Sequence, residues 1–198
     1  AQAVDLNLWH HVGEALAKKR GAQPDIALGD WVPPAQLEGA LQSLYRSYKA
    51  AYDRYTEKLE ALGQPPPVFI VVCPNTIVSK VVFDWISGGE FELPDGDVHL
   101  RSGALPLLSN VEDGRWVKHQ RTILIDSAQL ESGEALKDDF KKAASHEIDA
   151  YKAEYRRRHP GADADALTDA DLLREVMNTV GKRGKLGEHI RCVVSVSM

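Results

Sequence analysis

The chain has 198 residues, of which 43% are hydrophobic and 27% charged, and its formal net charge is -5 at pH 7. That length suits one domain, or one domain with a helical appendage, and supplies enough apolar residues for a real core. The composition excludes a disordered chain, no apolar run approaches the roughly 20 residues that span a bilayer, and the acidic balance excludes coating nucleic acid through the overall field while leaving a local site open.

The N-terminus lacks a basic segment followed by a small-residue cleavage site, so a cytoplasmic protein with no membrane partner is expected. Cys73 and Cys192 fall in separate apolar runs, which predicts buried thiols and neither a disulfide nor a metal pair.

Residues 6–19 read as a short helix, with Leu8, Trp9, Val12, Ala15 and Leu16 on one side. His10 and His11 lie within it, but adjacent helical residues point about 100° apart and cannot both face one metal in the usual manner. A loop rich in proline and acid covers 23–34. Residues 36–62 are the longest periodic segment, with Leu37, Leu41, Leu44, Tyr48, Tyr52, Tyr55, Leu59 and Leu62 stepping by threes and fours. A single helix of about 40 Å is expected there, its tyrosine row serving as a packing face.

Residues 65–89 organise the rest. Three prolines end the preceding helix, and Val68 to Cys73 run apolar without alternation, as in a strand of a parallel sheet buried on both faces. Pro74, Asn75 and Thr76 turn the chain, and Ile77, Val78, Val81, Val82, Trp85 and Ile86 recur at helical spacing until Gly88 and Gly89. Asn75 or Thr76 is the natural N-cap. Free amides and the positive helix end then face the carboxyl edge of the sheet beside Ser79 and Lys80, a geometry suited to a phosphate.

Turn signals at Pro94-Asp95-Gly96 and Asp113-Gly114 predict small hairpins within about 90–117, expected as surface decoration between core strands. A second buried strand is expected at 122–126, TILID, with Asp126 and Ser127 at its carboxyl end. A helix over about 135–158 would carry Leu136, Phe140, Ala143, Ile148, Tyr151 and Tyr155 as its apolar line, and Arg156, Arg157 and Arg158 would close its C-terminal turn. Thr168, with Asp171 three residues on, begins the next helix, whose face is Leu172, Leu173, Val176, Met177 and Val180 up to Gly181. Lys182, Arg183 and Lys185 cluster in a glycine-rich loop, and 190–197 is a third buried strand. A strand so close to the end of the sequence suggests a piece of a longer protein. The expected organisation is a helical lead-in over 1–64 and an α/β unit over 65–198.

Known chemistry is hard to assemble from these residues. The phosphate-enclosing G-x-x-x-x-G-K-[ST] loop does not occur, and TILID carries Ser127 where a Walker-B strand would have a second acid. His146-Glu147 would begin a zinc-protease helix, but Ala150 stands in place of the second histidine. G-x-S-x-G is absent. A loose nuclease signature could combine Pro94, Asp95, Asp139 and Lys141, although Asp139 falls on an expected helix.

The strings VFIVVCPNTIVSKVVFDWISGG, RTILIDSAQLESGEALKDDF and LTDADLLREVMNTVGKRGKLGEHIRCVVSVSM resemble the motor subunit of type III restriction enzymes, the Res subunit. The resemblance runs over most of the chain from about Trp31. It implies a partial second RecA-like (P-loop NTPase-type) lobe of a superfamily-two helicase motor, with buried parallel strands, flanking helices, a long N-terminal helix and inserted hairpins. Val68 to Lys80 is similar to helicase motif IV, and Ile190 to Met198 to the strand leading into motif V, which in the family continues into Leu-Thr-Glu-Gly-Trp-Asp. By this resemblance Asn75, Thr76, Ser79, Lys80, Ser127 and Gln129 would touch the DNA backbone. Pro74 departs from the pattern, standing where relatives would carry a polar residue.

The resemblance further implies an ATP-dependent site-specific deoxyribonuclease as the parent, with DNA and a modification (methyltransferase) subunit as partners. ATP and magnesium would be bound by the parent, with no cofactor in this segment, and the segment alone would be inactive. Two other readings stand beside it: a freestanding α/β interaction module docking through the helix 36–62, and a small nuclease using Asp95, Asp139 and Lys141.

Overall fold

The computed structural model describes residues 32–92, 97–125, 141 and 144–196. Among them are four α-helices, α1 (Ala35–Arg54), α2 (Thr76–Ser87), α3 (Ser145–Arg158) and α4 (Asp169–Asn178). The strands are β1 (Phe69–Cys73), β2 (Gly88–Glu92), β3 (Val98–Ser102), β4 (Val111–Glu112), β5 (Arg115–Trp116), β6 (Thr122–Ile125) and β7 (Cys192–Val196). The three apolar runs expected as strands form one parallel sheet in the order β1-β7-β6. Two separate hairpins, β2 with β3 and β4 with β5, lie between β1 and β6 in sequence. The fold is therefore mixed α/β.

Each face of the sheet has its own core. Phe69, Cys73, Cys192 and Val194 meet Tyr45 and Tyr48 of α1 and Val78, Val81, Val82 and Ile86 of α2. On the other face Ile123 and Ile125 meet Leu172, Leu173 and Val176 of α4, with Ile148 and Tyr151 of α3 packed alongside. Fully burying an apolar side chain of this size stabilises by about 1.5–3 kcal/mol. Both cysteines are free and buried, as their apolar surroundings predict.

The expectation that β1 is buried on both faces fails. Ile70 is 67% exposed and Val72 is 61% exposed. β1 lies at the sheet edge, and the second core covers β6 and β7 without reaching it. The apolar run correctly marks a parallel strand, but its position in the sheet decides how many faces are covered.

The long N-terminal helix is present, and the expected stripe holds at Leu37, Leu41, Tyr48 and Tyr52, while Tyr45 is buried in place of Leu44 and the C-terminal leucines are exposed. Leu41, Tyr45 and Tyr48 are buried, while Leu44, Leu59 and Leu62 are 58%, 42% and 72% exposed. Tyr48 meets Phe69 edge-on, with ring centroids 5.6 Å apart at 74°, and the Tyr45 hydroxyl accepts the Leu107 N–H at 3.0 Å. These contacts turn Tyr45 inward, and Leu44, about 100° around the helix, outward. Beyond Arg54 the helix continues as a π turn over Tyr55–Leu59 and a 3-10 turn over Glu60–Leu62, ending at Gly63 with φ 72°.

The hairpin region is more than surface decoration. Leu105 and Leu108 are fully buried, and Asn110 is 2% exposed. The Asn110 carboxamide oxygen accepts the N–H groups of Arg121 (2.8 Å) and Thr122 (3.0 Å), and its nitrogen donates to Thr122 O (2.9 Å). Its main-chain N–H donates to Ser87 O at 2.7 Å. One residue thereby joins the end of α2, through its main chain, to the start of β6, through its side chain. A Cβ on Gly103 would overlap the Ile86 carbonyl, so only glycine lets β3 leave so close to the α2 C-terminus.

Helix α3 is described from Ser145, and the expected contributions of Leu136, Phe140 and Ala143 lie outside the described residues. The capping box of α4 is as expected: Thr168 Oγ1 accepts the Asp171 N–H at 3.3 Å and Asp171 Oδ2 accepts the Thr168 N–H at 3.0 Å. Met177, expected on the buried face, is 44% exposed. The expected short helix at 6–19, Asp126 and the turn at 94–96 lie outside the described residues.

Candidate functional site

The carboxyl edge of the parallel sheet is where the sequence points. Cys73 is in register with Val196, and Ile125 with Ser195, so the three strands end together. β1 leads directly into α2 through Pro74 and Asn75. Asn75 has extended backbone and its side-chain Oδ1 accepts the Val78 N–H at 3.0 Å, making it the N-cap; its carbonyl accepts the Ser79 N–H at 3.0 Å. The two preceding amides, of Thr76 and Ile77, have no acceptor within the helix and project from its positive end.

The six residues that the resemblance assigns to DNA divide three ways. Asn75 and Lys80 are exposed and Thr76 is half-buried, all three near this edge. Lys80 has no acidic partner among the described residues. Ser79 is fully buried, and its hydroxyl donates to Thr76 O at 2.9 Å, so it braces the first turn of α2 and presents nothing at the surface. Ser127 and Gln129 lie outside the described residues. Of the nuclease residues, Asp95 and Asp139 also lie outside, and Lys141 is paired with Asp169 at 2.6 Å.

The opposite edge holds a feature that motif reading missed. An open groove of about 560 Å³ is lined by Glu112, Asp113, Arg115, Trp116, Lys118 and His119 from the β4–β5 hairpin and the segment after it, Arg121 ahead of β6, and His189 and Arg191 ahead of β7. The His119 and His189 rings lie with centroids 4.1 Å apart, tilted by 32°. Burial first, and then His189 and Lys118, lower the His119 pKa from its usual value, against the opposing pull of Glu147 and Glu188. The string RWVKHQR over 115–121 interleaves cations with an aromatic and was the available signal; its convergence with 189–191 requires the parallel pairing of β6 with β7.

A further cleft of about 340 Å³ lies between α3 and α4 and includes Glu154, Arg158, Lys182 and Lys185. Most of its charged groups are engaged locally. Glu154 is paired with Lys185 at 2.6 Å and with Arg158, which hold its carboxyl below the usual range, and Lys182 donates to Asn178 O at 2.8 Å.

Among the described residues no group of three His, Cys, Asp or Glu gathers to hold a metal ion, and no helix is long and apolar enough to cross a membrane. Comparisons of the chain with protein-family models, with curated proteins and with solved structures give no match, so the α/β assignment rests on the chain's own topology.

Proposed function

We propose that this chain works within the DNA-translocating motor of a type III restriction enzyme, as part of its second RecA-like lobe, where it holds backbone phosphates at the carboxyl edge of the sheet. One observation carries the reading: aligned parallel strand ends adjoin the Asn75-capped start of α2, with two amides that have no acceptor within the helix and with Lys80, which has no acidic partner among the described residues, nearby. Such contacts fix position along DNA without reading its sequence. DNA and a modification subunit are the partners in this reading. ATP and magnesium would belong to the remainder of the enzyme, because G-x-x-x-x-G-K-[ST] is absent here, and no step through them rests on this chain.

The magnitudes make the role positional. An exposed helix start stabilises an anion by about 0.3–1 kcal/mol, and each phosphate contact adds about -0.9 to the salt slope. One or two contacts cannot hold DNA at physiological salt, so this edge alone does not bind DNA tightly, and without the phosphate-enclosing loop the 198-residue chain alone does not hydrolyse ATP. Robust ATPase activity in a clean preparation would contradict the reading.

The alternative, a module docking a partner protein through 36–62, is less well supported, because Tyr45 and Tyr48 on that helix are already covered by the chain's own core. The test is made in the enzyme that carries this segment. Lys80→Ala raises the DNA concentration needed for half-maximal ATPase by about tenfold, the equivalent of one charge-assisted contact, and leaves thermal unfolding unchanged. An unaltered DNA dependence overturns the assignment.

A further inference from the structure

The groove at the amino-terminal edge of the sheet is independent of the carboxyl-edge site and has an electrostatic arrangement of its own. Thr122 is in register with Cys192, so Arg121 and Arg191, one residue earlier, are neighbours at adjacent strand starts. Their backbones are joined by the Arg191 N–H donating to Arg121 O at 2.7 Å. Two cationic residues at adjacent strand starts are each stabilised where they find an anion.

Only one does. Glu112 takes Arg121 at 2.8 Å. Arg191 instead lies over the Tyr52 ring, 4.6 Å from its centroid, and among the described residues it has no carboxylate partner. It is partly withdrawn from water, and burial disfavours its charged form. Arg115 and Lys118, exposed on the same groove, also have no acidic partner among the described residues. In a chain of net charge -5, this groove gathers Arg115, Lys118, Arg121 and Arg191 against the two carboxylates of Glu112 and Asp113, and among the described residues only Arg121 has an acidic partner, an excess of positive charge that an anion would complete. Trp116 on the β5 wall is 38% exposed, leaving part of its indole open for stacking.

We propose that this groove binds a phosphate ester: Arg191 anchors the phosphate with its planar fork, Arg115 and Lys118 approach from the hairpin, and Trp116 stacks on a base carried by the same ligand. Guanidinium matches phosphate in a bidentate manner, and base–aromatic stacking is tolerant of sequence. The ligand is a free nucleotide or one stretch of a single-stranded nucleic acid, which share this chemistry.

The full 198-residue chain, labelled for amide NMR, is titrated with inorganic phosphate, thymidine 5′-monophosphate and oligothymidylates of about 4 to 16 nucleotides. Saturable shifts confined to residues 115–121 and 189–191 are expected. The paired change Arg115→Ala with Lys118→Ala, both exposed, weakens binding by about tenfold or more while the remaining spectrum is kept. Arg191→Gln weakens it at least as much. Affinity that rises with oligonucleotide length assigns a strand, and affinity already complete with the mononucleotide assigns a free nucleotide; either supports the proposal. No saturable shift, or unchanged affinity in the paired variant, overturns it. Shifts centred on 75–80 also overturn it, while favouring the carboxyl-edge site of the motor reading.

Discussion

Asn110 shows how one buried polar residue can hold two parts of a fold in register. Its carboxamide makes three hydrogen bonds to the main chain of Arg121 and Thr122, supplying the start of β6 with the partners that a neighbouring strand would otherwise provide. Removing it strands donors and an acceptor in a site that is 2% exposed. Asn110→Ala therefore costs about 3 kcal/mol or more in urea unfolding, whereas Glu112→Ala, which breaks an exposed ion pair, costs less than about 1 kcal/mol. The buried thiols report at the same scale. Burial pushes Cys73 up to about 11 and Cys192 up to about 12, from an ordinary value of 9.0. The unfolded chain releases these protons first, so stability is full below pH 9.0 and falls as the pH rises toward those values. A urea midpoint that drops between those limits, and drops less in Cys73→Ala with Cys192→Ala, is the expected result.

At the scale of elements, close approach and capping set the boundaries. The exit of β3 past the end of α2 depends on Gly103, where any Cβ would overlap the backbone of Ile86 and Ser87. Gly114 in the β4–β5 turn has φ 69° but open space around it. Gly103→Ala is expected to cost well over about 3 kcal/mol or to prevent folding, and Gly114→Ala only about 1 kcal/mol, by thermal melting. Comparable losses at the two positions would show that the backbone around Gly103 relaxes. The tyrosine row of α1 illustrates the converse case: its period of three and four was clear in sequence, and the choice of Tyr45 over Leu44 came from the Leu107 amide and the packing on Phe69.

For the whole molecule, the uneven cover of the sheet is the leading feature. β6 and β7 have helices on both sides, while β1 leaves Ile70 and Val72 open on one. Ile70→Thr with Val72→Thr is expected to cost less than about 1 kcal/mol and to reduce self-association seen by light scattering, because little area leaves the core. Ile123→Ala, in the covered part of the same face, is expected to cost about 2–5 kcal/mol. Equal losses would mean that β1 is covered in solution. The two edges of this sheet also divide the candidate sites, one at the start of α2 and one ahead of β6 and β7.

Local chemistry was enough to determine the α/β class, the three parallel strands, the Thr168 cap, an α2 cap at Asn75 or Thr76 of which the structure selects Asn75, the Asp113-Gly114 turn and the reduced thiols. Each of these depends on residues within a turn or a short run, where steric and hydrogen-bonding preferences act directly. Tertiary structure alone decided that β7, the latest strand in sequence, sits between the other two. It also decided that Ser79 is buried, that Ile70 and Val72 are exposed, and that Arg115, Lys118 and Arg191 share one groove. Those outcomes depend on strand order and register, which join residues separated by some seventy positions and leave no local periodicity to read.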